Sequence, residues 1–190
     1  MIELPELILA SGSPRRTEIL TSVGWKFIKH PADIDETELA GELPQDYVRR
    51  LAIEKAEVVA AEYPGSIVLG ADTTVVIHGQ IIGKPVDMAD ARRMLSMLAG
   101  NWHEVLTGVA ICESGETRSA VDSTRVKFAP MTDSEVEFLA TMGEPMDKAG
   151  AYAVQAQAAL FIEAIDGDYW NVVGLPVKTV YDLVMKKPGN

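Results

Sequence analysis

The sequence predicts an α/β (mixed α+β) fold, a curved mixed sheet flanked by helices. Three observations lead there. Short apolar runs such as Leu7-Ile-Leu-Ala10 and Ile67-Val-Leu-Gly-Ala71 have the length of buried strands. Between them lie segments with helical spacing, most clearly Val48, Leu51, Ala52, Ala56 and Val59. The two kinds of segment alternate along the chain, as layered strand–helix folds require. The 190 residues suit one domain, 1–190, or one elongated domain with two lobes. With 47% hydrophobic residues, the chain has enough apolar material for a real core.

In chain order, residues 6–10 read as a strand and 14–23 as a helix closed by Gly24. Trp25 to Ile28 reads as a second strand, and the acidic stretch through Asp33, Asp35, Glu36 and Glu38 as loop. A helix over 45–62 ends at Pro64-Gly65. A buried strand over 67–71 precedes a hairpin from Thr74 to Ile82, turning at Gly79-Gln80. Asp87 caps a helix that runs to Ala99 and stops at Gly100. Strands over 105–112 and 119–128 are joined by Glu113-Ser-Gly-Glu116. Thr132-Asp-Ser-Glu135 is a capping box opening a helix to about Met142. Short strands at 160–165 and 170–173 flank Asp166-Gly-Asp168, and 176–186 forms the last helix.

A net charge of −11 opposes general binding to nucleic acid or an anionic membrane. A basic cluster in such a chain reads as a local pocket for a small polyanion. The single cysteine, Cys112, sits in an apolar run and reads as a core thiol. No basic leader or span-length apolar stretch stands out, so a cytoplasmic protein is the default expectation.

The basic cluster is Ser11-Gly-Ser-Pro-Arg-Arg-Thr17, between the first strand and first helix. Pro14 fits the first helical turn, with Ser13 as N-cap. Ser11, Ser13, Arg15, Arg16 and the helix N-terminus would together hold an anion, phosphate best of all.

Other residues break the local pattern. Lys55 falls within the apolar stripe of its helix, so it either snorkels at the core edge or points into a cleft. Asp72 follows a buried strand, at the end where α/β sheets bind ligands. It either holds a metal or activates water, or it caps a turn through Thr73 and Thr74. Lys84, fixed between Gly83 and Pro85, is a turn lysine or a ligand cation. Gln155 lies in a small, apolar stretch, where its amide needs partners or reads a nucleobase edge. His30, His78 and His103 lack metal-ligand spacing and read as structural. No P-loop, Rossmann fingerprint or serine-hydrolase elbow is present.

Taken in order, these segments resemble the Maf family of nucleoside triphosphate pyrophosphatases, which has an inosine-triphosphatase-like fold with a central cleft. The matching residues are Ala10-Ser-Gly-Ser-Pro-Arg-Arg16, Asp35-Glu36, the helix bearing Lys55, and Gly70-Ala-Asp-Thr73. Gly83-Lys-Pro85, His103 to Gly108, Asp147-Lys-Ala-Gly-Ala-Tyr152 and Asn171-Val-Val-Gly-Leu-Pro176 complete the set. The resemblance implies hydrolysis between the α and β phosphates of a nucleoside triphosphate, giving the monophosphate and pyrophosphate. It implies Asp72 as general base, and a divalent metal (magnesium or manganese) held by Asp72 with Glu36. Ser11, Ser13, Arg15, Arg16, Lys55 and Lys84 would bind substrate phosphates. Ala71-Asp-Thr73 is similar to the branch acting on dTTP and UTP, with Arg15, Thr73 and Gln155 at positions tied to base choice. A sister branch acts on 7-methylguanosine triphosphate. A non-catalytic nucleotide-binding regulator of cell division is a further alternative. A homodimer is implied by family analogy. One departure concerns Ala153-Val-Gln-Ala156 and Ala158, where the family usually has glycines. Alanine tolerates positive φ poorly and adds a methyl where a base approaches.

Overall fold

The structure, a computed structural model, describes residues 2–186. Its elements are β1 (Leu7–Leu9), α1 (Pro14–Ser22), β2 (Phe27–Lys29), α2 (Pro44–Ala60), β3 (Ile67–Ile77) and β4 (Gln80–Ile82). There follow α3 (Met88–Leu98), β5 (Trp102–Glu113), β6 (Glu116–Phe128), α4 (Asp133–Met142), β7 (Ile162–Asp166), α5 (Tyr169–Val173) and α6 (Val177–Met185). Short 3-10 turns occupy Pro145–Asp147, Ala149–Ala151 and Gln157–Leu160. The strands form one seven-stranded sheet in the order β2-β1-β3-β5-β6-β7, with β4 paired to β3. β1 runs parallel to both β2 and β3, and β4 runs antiparallel to β3, so the sheet is mixed as expected.

Three expectations need correction. The 67–71 strand does not end before Asp72; β3 continues without interruption to Ile77. The polar run Asp72-Thr-Thr74 looks like a turn in sequence, yet Asp72 and Thr74 are buried. The following hairpin turns at His78-Gly79, one residue earlier than expected. Both residues have positive φ, +52° and +75°, the pair of values a two-residue type I′ turn needs. The segment Tyr169–Val173 is a short helix, although its aromatic and β-branched residues favour a strand. Local bonds override that preference: the Asp168 carboxylate accepts from the Trp170 N–H, and the Asp168 carbonyl accepts from Thr124 Oγ1.

Contacts divide the chain into two compact units. The first contains the chain up to Asp72, Thr107–Asp122 and the chain from Gly174 onward. Its core includes Ile8, Ala10, Ala52, Ala56, Val59, Val68, Ala110 and the free thiol Cys112. Two glycines bring α2 close to the sheet. A Cβ on Gly70 of β3 would lie 2.1 Å from the Ala52 carbonyl oxygen. A Cβ on Gly108 of β5 would lie 2.1 Å from that of Val48. Glycine is required at both because helix backbone occupies the space.

The second unit contains Thr73–Leu106 and Ser123–Val173. Here α3 packs on α4, whose capping box forms as expected between Thr132 and Glu135. His103, Phe128 and Tyr152 form a cluster of edge-on and tilted rings. His103 Nε2 and the Tyr152 hydroxyl share a 2.7 Å hydrogen bond, which bears out the structural reading of that histidine. Burial lowers the His103 pKa to about 4. An unfolded chain takes up this proton near the ordinary histidine value, about 6.5. The unfolded state thus binds more protons between those values, and stability falls as pH drops from about 6.5 towards 4. A His103→Gln variant is expected to show a shallower loss of melting temperature across that window.

Candidate active site

The first unit builds a charged centre from β1, β3, α1 and α2. Leu9 pairs with Leu69 in parallel register, and the Ala10 N–H donates to the Leu69 carbonyl at 2.8 Å. The Ser11–Ser13 loop therefore leaves β1 alongside the Gly70–Asp72 stretch of β3. Residues two apart on a strand share a face, so Asp72 points the same way as Gly70, towards α2. Gly70 packs directly under Ala52 and Ala56, and Lys55 lies between them in sequence. The close approach delivers Lys55 to Asp72: Nζ lies 2.7 Å from Asp72 Oδ1. The same Nζ lies 2.6 Å from Glu36 Oε1. One ammonium thus bridges two carboxylates.

The Lys55 and Asp72 side chains are 9% and 12% exposed, whereas Glu36 is 50% exposed. Lys55 is therefore held inward, not snorkelling, and Asp72 serves as an ion-pair partner, not a turn cap. Burial raises the Asp72 pKa from its ordinary value, against the opposing pull of Lys55 and Arg16. A carboxylate of raised basicity is a better proton acceptor near neutral pH.

Arg16 has a structural setting in addition to its place in the basic cluster. It is buried in α1, and its Nε donates to the Gly174 carbonyl at 2.9 Å. Its NH1 donates to Ser11 Oγ and to the Ala71 carbonyl, both at 2.9 Å. Arg16 therefore ties the Ser11 loop and the residue before Asp72 to the start of the C-terminal segment. Burial lowers its pKa, while the charges of Asp72 and Glu36 act to raise it. Ser11 Oγ accepts from Arg16 and from the Ser13 N–H, which leaves its O–H to donate. Ser13 occupies the N-cap position as expected, but its side chain makes no capping bond. Arg15 and Ser13 are half-buried at the same helix start.

Two residues missed in the sequence hold the Glu36 loop. The Tyr47 hydroxyl donates to the Glu36 carbonyl at 3.0 Å. Arg50 donates to the Thr37 carbonyl and clasps Glu42 with two bonds. Burial, with Asp72 and Glu36 nearby, pushes the Tyr47 pKa up to about 12, so its hydroxyl stays a donor. Neither residue belongs to the apolar stripe by which the sequence marks this helix, and no local signal singles them out.

The remaining candidates belong to the second unit. Thr73 is its first residue and is half-buried; Lys84 and Gln155 are exposed. The Gly83 carbonyl accepts from the Gly150 N–H at 3.0 Å, joining the Lys84 turn to the Ala149–Tyr152 segment. Positive φ falls at Gly150 and Ala151, not at Ala153, Ala156 or Ala158. The alanines in place of family glycines are therefore unstrained on that count.

The donor set fits a divalent ion. Among the described residues there is no cluster of three or more histidine, cysteine or acidic side chains. Magnesium, however, is commonly held by one or two carboxylates and completed by substrate phosphates and water. Glu36 and Asp72, converging on one cation, supply that partial set.

The sequence matches the family described as Maf-like protein over residues 6–187. The chain belongs to the Maf family. A dTTP/UTP pyrophosphatase of Symbiobacterium thermophilum is 49% identical over 92% of this chain and 90% of its own length. A dTTP/UTP pyrophosphatase of Koribacter versatilis is 47% identical over 95% of this chain and 93% of its own. The solved Staphylococcus aureus Ham1 protein is 17% identical, with a TM-score of 0.47 over 65% of this chain and 72% of that one. Membership of the Maf family accounts for the run of matching segments across both units. No helix among the described residues is long and apolar enough to cross a membrane.

Proposed function

We propose that this Maf protein is a nucleoside triphosphate pyrophosphatase acting on dTTP and UTP, releasing the monophosphate and pyrophosphate. The observation that carries the reading is the buried Lys55–Asp72 pair with Glu36 on the same ammonium. The near-full-length likeness to relatives named for that activity supports it. In this reading Asp72 accepts a proton from the attacking water. Ser11 and Arg15 bind the triphosphate, and Lys55 turns to neutralise its charge. Arg16 holds the Ser11 loop and the Ala71 carbonyl in place. Glu36 and Asp72 would hold magnesium or manganese, which when bound neutralises phosphate charge and acidifies water. Thr73, Lys84 and Gln155 keep the substrate roles that the family resemblance assigns them. The same resemblance extends the proposal to a homodimer, and the cytoplasm remains the setting that the sequence leads one to expect.

The test is a panel of dTTP, UTP and 7-methylguanosine triphosphate with magnesium, assayed for pyrophosphate and orthophosphate. Pyrophosphate from dTTP and UTP is expected. Preference for the methylated purine would move the protein to the sister branch. Tight binding without turnover would favour a regulator.

A further inference from the structure

We infer that Lys55 is a built-in counter-ion that competes with the divalent metal for Glu36 and Asp72, and yields to it only when a triphosphate takes the ammonium. The inference rests on the pyrophosphatase reading for the identity of the two ligands. Its basis is the geometry of one nitrogen. Lys55 Nζ lies within 2.6 and 2.7 Å of oxygens from both carboxylates, the position a shared metal ion would claim. Lys55 is itself buried on the helix that also buries Leu51, Ala52, Ala56 and Val59, so its stem starts inside the packed face. Only the end of the side chain can move far.

A divalent ion arriving alone must break both charge-assisted bonds. It must also leave a buried ammonium unpaired beside it, with the Arg16 guanidinium already close enough to feel Asp72 and Glu36. Uncompensated buried charge is strongly unfavourable, so metal binding to the nucleotide-free protein is weak. A triphosphate changes the balance because its anionic oxygens accept the hydrogens of the displaced ammonium. Metal and triphosphate then bind cooperatively through Lys55, and linkage makes the effect reciprocal. Until substrate arrives, the same lysine holds Asp72 and the half-exposed Glu36 together.

The test measures manganese binding to nucleotide-free protein, following free manganese by electron paramagnetic resonance. Lys55→Met is expected to bind manganese about tenfold or more tighter than wild type, the scale of a typical coupling between sites. Lys55→Arg should remain weak, because it keeps the charge. Adding Glu36→Gln to Lys55→Met should abolish the gain, which locates the metal. Equal or weaker manganese binding by a folded Lys55→Met variant overturns the inference. Should that variant not fold, lysine ammonium signals of the wild-type protein in nitrogen-15 NMR decide the matter. Magnesium alone should leave the Lys55 signal in place, and magnesium with α,β-methylene-UTP should shift it. The same shift with that magnesium concentration alone, without nucleotide, contradicts the inference. Neither readout needs turnover, so a protein that hydrolyses no nucleotide would refute the functional reading separately.

Discussion

Replacing Asp72 by asparagine is expected to lower pyrophosphate release by about 10²–10⁴-fold, the range of a lost general base. The substitution keeps the side chain's size and its oxygen acceptor for Lys55, so the local packing survives. It removes the charge whose desolvation raises the Asp72 pKa. It leaves Lys55 paired with Glu36 at 2.6 Å, so the buried ammonium is not abandoned. Stability should therefore change little while the rate collapses. The checks are initial rates of pyrophosphate release and a thermal melt on the same preparation. Retention of full activity in a folded Asp72→Asn variant removes Asp72 from the chemistry.

Gly70→Ala is expected to damage both stability and activity. The new methyl would lie 2.1 Å from the Ala52 carbonyl oxygen, 2.7 Å from the Ala56 nitrogen and 3.0 Å from Ala56 Cβ. Two of these atoms are helix backbone, which cannot swing aside as a side chain can. α2 must shift from β3, and overpacking of this kind costs up to about 3 kcal/mol, sometimes more. The shift also moves Lys55 relative to Asp72. A misplacement of about 1 Å can cost on the order of 10²-fold in rate. Denaturant unfolding and steady-state kinetics measure the two effects. Wild-type stability would show that α2 does not rest on that glycine.

Much of this centre is legible in the sequence because it violates local rules. Lys55 interrupts an apolar stripe, and the structure turns it inward to the carboxylates. Gly70 interrupts a β-branched and aliphatic strand, a usual mark of close backbone approach. Asp72 was recognisable as a carboxylate beside a buried strand, but its place within a continuous strand was not. That depends on Lys55 satisfying its charge from another element. Arg16 is legible only in part. Its neighbours place it at an anion site, and the structure adds bonds to Ser11 and to the Ala71 and Gly174 carbonyls. The Gly174 contact is remote in sequence, and no periodicity could announce it. Tyr47 and Arg50 stayed hidden because their partners are loop backbone and the Glu42 side chain of the loop before α2.

The most direct measurement is single-turnover hydrolysis of dTTP by the magnesium-loaded protein in water enriched in heavy oxygen. Equal amounts of thymidine monophosphate and pyrophosphate are expected, with the label on the monophosphate from attack at the α phosphorus. Orthophosphate with the diphosphate, or label on pyrophosphate, would contradict a centre in which Asp72 aims water at that atom.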